Sequence, residues 1–364
     1  MATESLSMAP PITERSGPIG WMRRNLFATP FDIILTLLVL LVLIAVVPPL
    51  FRWAILNADW TAINRDQCPA DGACWGIIPN RFHQYMFGLY PVDQYWRIFL
   101  GGFLLLAGCV PLLLPQMPRK ALYGICFAII YPIIASMLFE GGWLVQPVVE
   151  TPLWGGLFLT LLISIVGIVA SFPIGIVLAL GRRSQMPAVK ALCVSFIELV
   201  RGVPLVTVLF MASVMLPLFF PPGWTIDKIM RALIGVSLFS GAYMAEVIRG
   251  GLQAIPKGQY EAADAMGLTY WQSMRLIILP QALRLVIPGI VNSFISLFKD
   301  TTLVFIMGLY DLLGIGRLIT TGQDWLGHDV ESYVFCAFGF WIFCFAMSRY
   351  SQGLERRLKK ATTH

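Results

Sequence analysis

The sequence predicts an all-α polytopic membrane protein with eight spans, and three observations carry that reading. Of 364 residues, 57% are hydrophobic and only 13% are charged, with mean hydropathy +0.75. A soluble domain carries roughly 25% charged residues, so this composition does not suit a water-facing surface. Long stretches contain no charge at all: residues 33–51, 98–116, 121–139, 151–181 and 202–226. Each approaches or exceeds the roughly 20 residues a helix needs to cross the hydrocarbon core. Lys and Arg, finally, are shared unevenly. With the N-terminus placed in the cytoplasm, inside segments hold 17 of them and outside segments 7, leaving Arg201 and Lys299 within the membrane. That bias orients both termini toward the cytoplasm. It also accounts for the net charge of +6 without nucleic acid.

Taken in order, the first span opens after a polar stretch and has no small-residue cleavage site behind it, so it reads as a retained helix rather than a signal peptide. Residues 98–116 and 121–139 supply the second and third spans, 151–181 and 202–226 the fourth and fifth. Three shorter or interrupted runs complete the eight: 232–245, 285–298 continuing past Lys299 and Asp300 to Tyr310, and 332–348. In lipid every backbone group must be satisfied within its own segment, which makes runs of this length helices. Two parts follow: residues 1–150, with three spans and one outside loop (52–97), and residues 151–364, with five spans and a long cytoplasmic loop (250–283). The outside loop carries four acids, four arginines and the tryptophans Trp53, Trp60 and Trp75, which suit either an interfacial belt or a surface for a partner.

The loop 250–283 has a helical grammar of its own. Pro256-Lys257-Gly258 breaks the preceding helix, residues 259–266 are rich in helix formers, and Gly267 suits a left-handed C-terminal cap. Thr269 followed by Gln272 matches a capping box that opens a second helix, which Pro280 interrupts. Ala262, Ala263 and Ala265 keep the first helix slender enough for a cleft, and Glu261 and Asp264 share one of its faces. A stiff helix of that kind transmits a push from a partner, although the same spacing suits a solvated amphipathic helix lying at the headgroups.

The run Glu261-Ala262-Ala263, with Gly267 and then Ile277-Ile278-Leu279-Pro280, resembles the EAA loop of permease subunits in ABC importers. The stretch from Gly241 to Gln259 (GAYMAEVIRGGLQAIPKGQ) resembles the polar amino acid subfamily of these permeases. So do residues 156–164 (GLFLTLLIS), 198–205 (ELVRGVPL) and 292–304 (NSFISLFKDTTLV). Together they cover roughly residues 151–352, in the family's order. The three extra N-terminal spans resemble the M-type subunit of general L-amino acid importers. The resemblance implies a type I importer transmembrane domain with a five-helix core, in a bacterial inner membrane. It would form the pathway with a second permease subunit, more often a paralogue than a copy, and be served by two ATPase subunits and a periplasmic amino acid-binding protein. Residues Gln259, Tyr260, Glu261, Ala262, Ala263, Asp264 and Gly267 would then couple to the ATPase. Val203 departs from the family's usual Thr before Pro204, which puts one hydroxyl contact in doubt.

No G-x-x-x-x-G-K-[ST] occurs, so ATP and Mg would belong to the partner ATPase, with no cofactor on this chain and no catalytic constellation. Ionisable residues at membrane depth are candidates for function. Glu198 and Arg201, three apart, could pair, and Lys299 and Asp300, being neighbours, each need a partner of their own. With Asn292 they could line a passage for a zwitterion, or simply hold helices together. A proton- or sodium-coupled secondary transporter is the alternative, but it leaves the EAA loop unexplained. Cys68 and Cys74 both fall in the outside loop, where an oxidising periplasm would permit a disulfide. The other five cysteines lie in apolar runs, and neither they nor His83, His328 and His364 show metal-ligand spacing.

Overall fold

The computed structural model describes residues 17–114, 117–142, 146–221, 223 and 226–362, with side chains described to 356. It is helical nearly throughout and divides into two compact units, Met1–Gly76 and Ile77–His364.

In the first unit, α1 (Pro18–Asn25) is short and presents Ile19, Trp21, Arg23 and Arg24 outward. Helix α2 (Pro30–Phe51) opens with a capping box in which the Asp32 carboxylate accepts from the Thr29 amide and hydroxyl. It continues through a π-turn to Leu56, and its apolar side chains stay exposed, as lipid-facing residues would be. Beyond it, Trp75 donates from Nε1 to the Ala54 carbonyl at 2.8 Å and packs edge-on against Trp53 and at a tilt against Trp60. Cys68 and Cys74 are joined by a disulfide.

The second unit begins with α3 (Ile77–Phe87), a short helix of mixed apolar and polar residues inside the expected outside loop. Helices α4 (Tyr95–Leu113) and α5 (Lys120–Glu140) pair with each other; Gln116, at the end of the expected second span, lies outside the described residues. Helix α6 (Gly156–Arg182) follows, then α7 (Pro187–Gly202) and α8 (Leu205–Val214). Here the expected fifth span, 202–226, of which residues 222, 224 and 225 lie outside the described residues, is corrected at its start: it is the second arm of a bent pair. The chain breaks at Val203, and α7 and α8 meet at 105°. Pro204 explains the break: it lacks an amide donor and pushes the residue before it out of the helical region, where Val203 sits at φ −114°, ψ 139°.

Helix α9 (Lys228–Ala254) is the most deeply packed span, and α6 crosses it closely. A Cβ on Gly241 would stand 2.5 Å from Ile174, so only glycine permits that approach. Next come α10 (Lys257–Ala265), α11 (Tyr270–Ser273), a π-turn over Met274–Ile278 and α12 (Leu279–Leu285). Helix α13 (Ile287–Asp300) runs into a 3-10 segment, Thr301–Met307, and β1 (Tyr310–Asp311) bridges to Gly155 and Gly156. The unit closes with α14 (Leu312–Thr321) and the long α15 (Asp329–Thr362). Among the described residues seven helices are long and apolar enough to cross a membrane, or eight if the bent α7–α8 pair is one span.

Two apolar cores hold the second unit. One gathers Tyr90, Phe139, Trp154 and Phe158 with the first halves of α6 and α9. The other packs Met274, Ile278 and Ala282 from the loop against Met244, Ile248 and Leu252 of α9. The second core seats the loop 250–283 firmly on the bundle's end.

Candidate functional site

Helix α10 is held on one side and open on the other. Ala263 is 1% exposed, whereas Gln259, Glu261, Ala262 and Asp264 all face outward. Among the described residues Glu261 and Asp264 make no salt bridge, so both carboxylates are free to meet a partner. The helix stops where expected: Gly267 takes φ +70°, and the Leu268 amide donates to the Ala263 carbonyl at 3.2 Å. Gln272 Oε1 then accepts from the Thr269 amide and hydroxyl, each at 2.9 Å, which opens α11.

From behind, Tyr260 fastens α10 to the bundle. Its hydroxyl donates to the Leu252 carbonyl at 3.1 Å, near the end of α9. Arg183, one residue past the end of α6, donates to that same carbonyl at 2.9 Å and to the Tyr260 hydroxyl at 3.0 Å, and lies over the tyrosine ring. A second tie runs from Gln281 Nε2 to Gln259 Oε1 at 3.0 Å.

The charges expected at membrane depth divide into two groups. Glu198 and Arg201 do not pair with each other. Glu198 meets Arg182 at 3.3 Å, and Arg201 meets Glu246 at 3.7 Å while lying over the Tyr243 ring. Because Arg182 is the last residue of α6, both belong to the end of the bundle rather than its middle. Glu246 is the hub, with Arg182 at 3.0 Å and Arg249 at 2.9 Å as well. Sequence reasoning passed over this acid as a residue near a helix end and counted Arg182 and Arg183 only toward topology. The available signal was the i, i+3 spacing of Glu246 and Arg249, together with two adjacent arginines ending a span.

Lys299 and Asp300 remain within the span Ile287–Met307, and neither forms a salt bridge among the described residues. Asn292, Ser296 and Lys299 are all exposed, and steps of four and three put them on one face of α13; Asp300 is half-buried. In the first unit, Cys68 and Cys74 close the loop that presents Trp60, and the Asp59 carboxylate accepts from the Thr61 and Ala62 amides at 2.6 and 2.7 Å.

A membrane-crossing helical bundle that holds an acid-bearing helix rigidly outward from its end is a membrane component built to work through another molecule. Residues 171–360 match the family described as the inner membrane component of binding-protein-dependent transport systems, and the chain belongs to that family. It is 53% identical over 343 residues to the inner membrane amino-acid ABC transporter permease protein YhdY of Escherichia coli K12, covering 94% of each chain. It is 43% identical to BztC of Rhodobacter capsulatus, a glutamate/glutamine/aspartate/asparagine transport system permease protein, over 98% of each. The glutamate/aspartate import permease protein GltK of Escherichia coli O6:H1 is 34% identical over 91% of its own length but only 56% of this chain. A solved amino acid ABC transporter chain is 30% identical, with TM-score 0.49, over 56% of this chain and 92% of its own. Family membership favours a permease working with partners over a self-sufficient secondary transporter.

Proposed function

We propose that this chain is the transmembrane permease subunit of an ATP-driven amino acid importer of type I, coupled through α10 to separate ATPase subunits. One observation carries the reading: within the family-matched region, α10 turns Gln259, Glu261, Ala262 and Asp264 to solvent while Tyr260 and Ala263 clamp it to the bundle. The relatives' names supply the substrate class, amino acids. ATP and Mg belong to two partner ATPases, and this chain contributes no catalytic group.

On this reading residues 151–364 form the permease core: α6, the bent α7–α8 pair, α9, α13 and α15. Residues 1–150 form an extension with α2, α4 and α5. The match to shorter permeases such as GltK, which span only part of this chain, supports that division. Both termini are cytoplasmic, and the disulfide-bearing loop 52–97 is periplasmic, where thiols are oxidised. A periplasmic binding protein delivers the amino acid. A second, paralogous permease completes the pathway, and lipid surrounds the pair. The Asn292–Ser296–Lys299 face of α13 cannot rest against lipid without cost, so it turns with Asp300 toward the passage or the second permease. Glu198 and Arg201, held by ion pairs at the end of α6, serve to join helices.

Co-purification tests the proposal. With a tag placed after His364 and mild extraction of native membranes, an ATPase and a second, shorter permease are expected to come along. An intact complex containing this chain alone would overturn it.

A further inference from the structure

The two arginines that close α6 turn to different partners. Arg183 reaches the last turn of α9 and α10; its guanidinium, the Tyr260 hydroxyl and the Leu252 carbonyl form a triangle with all three sides between 2.9 and 3.1 Å. Leu252 belongs to the last turn of α9, whose carbonyls have no partner within the helix and where a cation is favoured. This is a stiff, aligned joint, since three hydrogen bonds fix α10 relative to the ends of both α6 and α9.

Arg182 makes a different kind of joint. Its Nη2 donates to the Glu198 carboxylate on α7 at 3.3 Å, and its Nη1 stands 3.0 Å from Glu246 on α9. Yet neither its Nη1 nor Glu246 Oε1 finds a hydrogen bond: the two are close in distance and misaligned in angle. Charge attraction tolerates sliding, whereas a hydrogen bond weakens steeply once bent. Arg201, the next-to-last residue of α7, is drawn to the same Glu246.

We infer that Arg183 and Arg182 are positioning residues forming a relay: Arg183 fixes α10 to the ends of α6 and α9 by aligned hydrogen bonds, and Arg182 carries α7 along through its hydrogen bond to Glu198 and its charge contact with Glu246. A pull on α10 then moves the α6–α9 pair as one body, and the bent α7–α8 pair follows through the Glu246 hub. The inference rests on α10 being the ATPase-docking helix.

The test uses the whole complex, reconstituted in liposomes with an amino acid-loaded binding protein, and reads uptake per ATP hydrolysed. Tyr260→Phe keeps the ring and removes the hydroxyl; Arg183→Ala removes the other arm, and Arg183→Lys restores one donor. Uptake per ATP is expected to fall at least about threefold in the first two, on the scale of one lost hydrogen bond. The double variant should lose no more than the worse single one, and Arg183→Lys should recover part of the ratio. Thermal unfolding and subunit stoichiometry, read on the same samples, should stay near wild type in Tyr260→Phe. An unchanged ratio in Tyr260→Phe with ATPase bound overturns the relay and leaves the docking role of α10 standing. A complex that keeps its ATPase after deletion of α10 overturns both.

Discussion

Asp311 is an acid kept wholly out of water at the start of α14. Its carboxylate accepts from the Gly314 and Leu313 amides at 2.9 and 3.3 Å, but burial outweighs those donors and pushes its pKa up to about 6. The folded chain therefore holds this proton more tightly than the unfolded chain, whose aspartates titrate near 3.9. Stability from this group is fully present below about pH 4 and is lost as the pH rises through about 6. Asp311→Asn keeps the capping oxygen and removes the charge. The variant should unfold at higher temperature than wild type at pH 7.5, by an amount on the order of 2 kcal/mol, and lose the slope between pH 4 and 6. Thermal scans of the purified complex at three pH values decide it, and an unaltered slope would assign the titration elsewhere. Glu246 shows the opposite economy at the same scale. It is a mostly buried acid shared among three arginines, so no single pairing explains why it is tolerated there.

Among the elements, α10 was the most legible. Pro256, the alanines, Gly267 and the Thr269–Gln272 pair each have a local physical consequence, and the helix falls within two residues of its expected limits. The bend at Val203–Pro204 was not read, although Pro204 stands in plain view, because the apolar run continues across it and hydropathy is blind to direction. Helix α3 was missed for another reason: at eleven residues, with Asn80, Arg81, His83 and Gln84 interrupting its apolar positions, it is too short and mixed to register as a span, and it owes its burial to packing on α6, α14 and α15. The two faces of α10 predict contrasting variants. Ala263→Leu forces bulk into a packed contact and should cost about 1–3 kcal/mol, seen as a lower unfolding temperature of this chain. Ala262→Leu adds the same bulk outside; it should leave unfolding within about 0.5 kcal/mol and instead reduce the ATPase recovered on co-purification. If Ala262→Leu retains full ATPase, the outward face is not the docking face.

For the molecule as a whole, composition and the 17-to-7 division of basic residues were enough to predict a polytopic chain with both ends inside. They reached no further, because the pairs that join different helices at the bundle's end, Arg182 with Glu198 and with Glu246, link residues 16 and 64 positions apart, and no local pattern encodes such distances. Reporter fusions check the orientation. An enzyme active only outside the cytoplasm, fused within residues 60–72, should be active, and the same enzyme fused after residue 362 should not. Activity at both sites would require an even number of crossings between them. Expectations for Lys299 and Asp300 stopped at the need for partners, and among the described residues neither has an ion pair.

That last feature bears on how the cell keeps its subunits in proportion. Lys299 is the thirteenth residue of the 21-residue span Ile287–Met307, and it is exposed on a face with Asn292 and Ser296. A lone chain would set an ammonium against hydrocarbon near mid-depth, at a cost of about 2.5 kcal/mol or more. An unaccompanied copy is thus physically different from an assembled one, and distinguishable by any protease that samples poorly seated helices. Excess synthesis of this subunit would end in turnover of the surplus, with the companion's abundance setting how much persists.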